Sequence, residues 1–189
     1  PLLLLGAGAA LLVAQASKPG KEESFPIDQN SVHRLQGIAV EYLREGSRTE
    51  AVGILARRVL AADGLGPWSP SMNKAVSLHR YVSGLPYTPD PPNMERIQSP
   101  ERIADQLLHG QTPSLDCDDS STFLGAMAIS VGIPSGVAFL DTNKDGTLDH
   151  AIATLYIDDK IYYAETTTPS KAVGWRPETS RVESIPLQT

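Results

Sequence analysis

The hydrophobic period changes once along this chain, at Gly132-Ile133-Pro134, and that change constrains the fold more than any other feature. Before it, apolar residues recur at steps of three and four, the repeat of a buried helix face; after it they alternate, the repeat of a strand. Three amphipathic helices come first. Val32, Leu35, Ile38, Ala39, Tyr42 and Leu43 mark one. Ala51, Ile54, Leu55, Val59 and Leu60 mark the next, with Thr49 as cap; Met72, Ala75, Val76, His79 and Val82 mark a third, opened by Ser71. His33 and His79 lie within these helices and read as surface or core-edge histidines. Gly84 to Ser99 is proline-rich, hence loop or extended edge. Ser99-Pro100-Glu101 then opens a helix running to about His109, with Ser as N-cap and Pro at the first helical position.

The last helix before the change carries the only cysteine, in Leu115-Asp116-Cys117-Asp118-Asp119-Ser120. Phe123, Leu124, Met127, Ala128 and Val131 give it one buried face, and Gly132 with Pro134 ends it. Asp116 or Asp118 is the expected N-cap, so Cys117 falls in or just before the first turn. Unpaired N–H groups and a partial positive charge there favour thiolate, the reactive form. The flanking carboxylates oppose it, so a basic partner is required. The bland alternative is a small buried hydrophobe. His109, at the preceding helix end, is a rival base.

Length and charge exclude several classes. A chain of 189 residues is one domain with room for a core. A net charge of -6, without a basic stripe, argues against nucleic-acid binding. One cysteine reads as excluding an internal disulfide and a Cys-based zinc site. No cofactor is expected. Leu2 to Ala16 is apolar on all sides, shorter than the roughly 20 residues that span a bilayer. It has the length of a signal-peptide core, with Ala14-Gln15-Ala16 as a small-x-small site. Membrane anchor, uncleaved leader and helix buried in an assembly are the three readings. Residues 18–30 read as a polar linker, 31–84 as a helical region, 85–169 as a core, and 170–189 as a tail forming a loop or docking arm.

After the period change, Ser135 to Leu140 reads as a strand. Asp141-Thr142-Asn143-Lys144-Asp145-Gly146 is a turn that also matches the opening of a calcium loop, with Asp141, Asn143 and Asp145 as ligands. The twelfth position is Ile152 instead of a bidentate Glu, which favours a polar hairpin loop. In the strand Asp149 to Ile157, His150, Ile152, Thr154 and Tyr156 share one face. Lys160 to Thr166 is the next strand. A two-residue turn at Asp158-Asp159 pairs Ile157 with Lys160 and therefore Ile152 with Glu165. His150 and Glu165 become diagonal neighbours roughly 7–8 Å apart at the backbone. A three-residue loop would put them on opposite faces.

These segments together resemble the transglutaminase-like superfamily of papain-like cysteine enzymes. Asp116-Cys117-Asp118-Asp119 before an apolar helix is similar to its cysteine motif. Tyr87 to Asp90 and Ser99-Pro100-Glu101 are similar to the lead-in of bacterial and phage members. His150-Ala151, then Glu165-Thr166-Thr167, follow the family's order of His and Asp motifs over about Ser71 to Pro169. Glu165 stands where the family has Asp, and Ile152 where many members carry an aromatic residue. The resemblance implies an α+β fold with a cysteine-bearing helix on a small antiparallel sheet. It implies a triad of Cys117, His150 and Glu165 acting on an amide or peptide bond, with a protein or peptide substrate. Gln111, six residues upstream of the cysteine, is the implied oxyanion donor beside the Cys117 N–H. Hydrolysis is favoured over transamidation, and phage-associated relatives suggest a cell-envelope or virion setting. Two readings compete: a non-catalytic assembly protein, oligomeric through its apolar end and leading helices, and a calcium-responsive binding module.

Overall fold

The computed structural model describes residues 20–28, 30–185 and 188–189. The apolar stretch Leu2–Ala16 lies outside them; among the described residues no helix is long and apolar enough to cross a membrane. The described chain is α+β: α1 (Ser31–Gly46), α2 (Glu50–Ala62), α3 (Ser71–Ser83), α4 (Pro100–Leu108) and α5 (Cys117–Ser130), with two small antiparallel sheets. One sheet pairs β1 (Glu22–Pro26) with β2 (Met94–Gln98). The other has β3 (Ser135–Leu140), β4 (His150–Ile157), β5 (Lys160–Ala164) and β6 (Val182–Ser184) in the order β5-β4-β3-β6.

Two of these strands, β1 and β6, depart from the expectation, and β2 is the extended edge expected between Gly84 and Ser99. The linker at 18–30 contains β1, the proline-rich 84–99 stretch contains β2, and the tail contains β6. Each is short, and each is held by a partner distant in sequence: β1 by β2, β6 by β3. The leading helices are not a separate layer. α1, α2 and α3 all pack on α5, whose other side meets β3 and β4.

α5 is therefore central, and it is buried all round instead of along one face. Every residue from Asp118 to Ala128 is buried, the two acids Asp118 and Asp119 and the hydroxyls of Ser120, Ser121 and Thr122 included. A helix with apolar residues around its whole girth is the kind that sits inside a core. Gly125 admits α1 at close range: a Cβ there would lie 2.5 Å from Leu43 Cδ2. The helix ends in a Schellman arrangement, Gly132 at φ 85 with Ile133 N–H donating to Ala128 O at 2.9 Å.

The β4–β5 register is the one that a two-residue turn dictates. Asp158 and Asp159 adopt φ of 49 and 60, the left-handed pair of a type I′ hairpin. Ile157 pairs with Lys160 and Ala153 with Ala164. β5 ends at Ala164, and Glu165 follows at the position that this register sets opposite Ile152.

Candidate functional site

Asp116 caps α5 by accepting the Asp119 N–H at 3.4 Å, which makes Cys117 the first helical residue. Hydroxyls of the next turn tie this end of the helix to the sheet. Ser121 Oγ donates to Ala151 O at 3.0 Å, and Ser120 Oγ lies 2.8 Å from Thr166 Oγ1. The Ala151 peptide serves twice, because its N–H donates to the Cys117 thiol. The sulfur is thus fixed against the residue that follows His150.

His150 and Glu165 meet. His150 Nε2 donates to Glu165 Oε2 at 2.7 Å. In the neutral ring this leaves Nδ1 unprotonated and able to accept a proton. Glu165 is 1% exposed, and both its oxygens are satisfied. Thr167 N–H and Oγ1 each donate to Oε1 at 2.7 Å. Burial pushes its carboxyl up, but the His150 hydrogen bond and charge and the two Thr167 donors outweigh that, leaving it below the ordinary value. Its backbone carbonyl accepts from His79 Nε2 at 2.6 Å, so the helical histidine read as core-edge is a buried support for the acid. The sequence showed no signal for that pairing beyond an apolar helix face.

Cys117, at the head of α5, meets β4 beside His150, but no hydrogen bond joins the two side chains. The thiol is half-buried. Burial first, then the Asp118 and Asp116 charges, push it well above the ordinary thiol value, against the lowering effect of the Ala151 N–H. The flanking acids oppose the thiolate as the sequence suggested, and burial adds to their effect. Those acids extend further than the sequence suggested. β2 carries Glu95 to the same place, and burial with the neighbouring Asp116 and Asp90 pushes its carboxyl up to about 7. Asp90 is pushed up to about 6 by burial and Asp116, despite Arg96. Asp119 is fully buried and accepts both Gln98 N–H at 2.6 Å and Gln98 Nε2 at 3.2 Å.

Gln111 is not part of this cluster. It is exposed beyond the end of α4, its N–H bonded to Gln106 O. His109, the rival base, is likewise exposed, with Nδ1 bonded to Asp105 O. In the β3–β4 loop, Asp141 accepts the N–H groups of Asp145 and Gly146, Asn143 Oδ1 accepts Asp145 N–H, and Asp145 Oδ1 accepts Thr147 N–H. The three side chains brace the hairpin loop, and they are absent from the groups whose ligand atoms converge among the described residues. Tyr87 runs beside the cysteine lead-in through a parallel bridge to Leu115 and stays half exposed.

No family model and no curated protein matches the sequence. Two solved structures are similar. A cysteine-protease candidate from Cytophaga hutchinsonii has 13% identity and TM-score 0.48, over 88% of this chain and 61% of that one. A protease candidate from Parabacteroides distasonis has 16% identity and TM-score 0.47, over 69% of this chain and 26% of that one. The chain thus spans about a quarter to three fifths of the lengths it matches.

Proposed function

We propose that this chain is a transglutaminase-like cysteine hydrolase acting on an amide or peptide bond through Cys117, His150 and Glu165. The observation carrying the reading is the 2.7 Å His150–Glu165 hydrogen bond beside a thiol held by the Ala151 N–H. The resting sulfur is a thiol, so attack requires His150 Nδ1 to take its proton as the S–C bond forms. Glu165 holds the ring's tautomer and stabilises the imidazolium. The imidazolium then returns the proton to the leaving amine, and water releases the acyl group. The Cys117 N–H, in the first turn of α5, is the oxyanion donor in this reading, and exposed Gln111 contributes nothing. A protein or peptide is the substrate class.

The test is labelling of folded protein by a thiol-directed electrophile, paired with turnover of fluorogenic amides. Labelling and turnover that rise with pH, and both slowed by His150→Ala, support the hydrolase. The raised thiol and the missing sulfur–imidazole hydrogen bond favour a second reading, a non-catalytic protein of the same fold. It expects labelling indifferent to His150→Ala and no turnover.

A further inference from the structure

The acids at the head of α5 have no part in amide hydrolysis, and beside a nucleophilic sulfur they oppose it. Asp116, Cys117 and Asp118 each bring one ligand atom within 4.8 Å of the other two. Asp116 is 6% exposed and Asp118 1%. Asp118 Oδ2 is buried with no donor group bonded to it, and its carboxyl instead meets that of Asp116, beside the sulfur. Buried carboxylates are ordinarily paired or metal-bound. Glu165, equally buried, has a donor on each oxygen; Asp118 does not.

We propose that Asp116, Cys117 and Asp118 form a binding site for Zn2+, which masks the nucleophile. A thiolate with two carboxylates suits zinc better than a hard cation. Tetrahedral bonds of about 2.3 Å to sulfur and 2.0–2.2 Å to oxygen place ligand atoms roughly 3.5 Å apart, a spacing this group reaches with small side-chain movements. Water fills the fourth position. On binding, the Zn–S bond forms, the S–H bond breaks, and the proton passes to buffer. A second convergent group, Asp90, Glu95 and Asp116, is a poorer site. It lacks the sulfur, and Asp90 is already engaged by Arg96 through Nε at 3.4 Å and through the Arg96 N–H.

The masking effect rests on the hydrolase reading; the binding does not. The experiment titrates Zn2+ into the full chain, measures bound metal per chain, and follows iodoacetamide labelling of Cys117 with and without chelator. One zinc per chain and at least tenfold slower labelling, reversed by chelator, are expected. Asp118→Asn weakens zinc binding by about 10–100-fold while its metal-free thiol still labels, which reports that it is folded. Cys117→Ala, a second variant with little volume change, loses the zinc. Equal zinc affinity in either variant, or wild-type labelling unmoved by saturating zinc, overturns the proposal. Zinc binding without amide turnover removes the hydrolase reading alone. Turnover with zinc-indifferent labelling removes this one alone.

Discussion

Glu165 and Asp118 are each 1% exposed, yet their surroundings shift the two carboxyls in opposite directions. Glu165 is drawn below the ordinary carboxyl value by His150 and Thr167 donors. Asp118 is pushed well above it by burial, then by Asp116 and Asp119. Burial is common to both, so donor supply decides which carboxylate keeps its charge. The acid at the sheet end can orient an imidazole as an anion. The acid at the helix end holds a proton or awaits a cation.

The largest expected break in this comparison is Glu165→Ala. It strands His150 beside a cavity and costs about 3 kcal/mol of stability, read as a lower denaturant midpoint at unchanged slope. In the proposed hydrolase, amide turnover falls by roughly 10²–10⁴ with it. Thr167→Val is smaller, about 1 kcal/mol, because one Oε1 donor goes and the Thr167 N–H remains. It moves Glu165 toward the ordinary value. A depressed carboxyl stabilises above its unfolded pKa and loses that contribution as pH falls. In the variant, acid unfolding therefore begins at higher pH.

Asp118→Asn runs the other way. A carboxyl raised on folding contributes fully below its unfolded value, and the contribution disappears as pH rises. The substitution should raise the unfolding midpoint at pH 8 and change it little near pH 4. Glu95→Gln should show the weakest form of the same behaviour. Its carboxyl moves from 4.5 to about 7 on folding, so stability is lost between those values as pH rises. The variant flattens the slope of midpoint against pH across that window; an unchanged slope would show that Glu95 keeps its ordinary value.

The sequence revealed what local periodicity and short-range caps encode. Helices α1 to α5, the Ser99 cap, strands β3 to β5 and the Asp158-Asp159 turn all rest on neighbours within a few residues. The His150–Glu165 contact was legible because a hairpin of fixed length carries parity across it. The β1–β2 pairing was not legible: each strand is five residues long, and α1, α2 and α3 lie between the two in sequence. The Asp90–Glu95–Asp116 cluster was hidden for the same reason, since β2 delivers two of its members. The thiol's environment was half visible. The flanking acids could be read, but their burial on a helix enclosed on all sides could not.

The Val182–Ser184 strand has a consequence of its own. β3 is buried along its whole length, and its outer backbone groups are met by this short segment, with Gln188 bridging Ser135 beyond it. Trimming the chain before Val182 would leave an apolar ribbon with free amides and carbonyls, a template for a strand from a neighbouring molecule. The Val182–Ser184 strand is in that sense a guard against self-association.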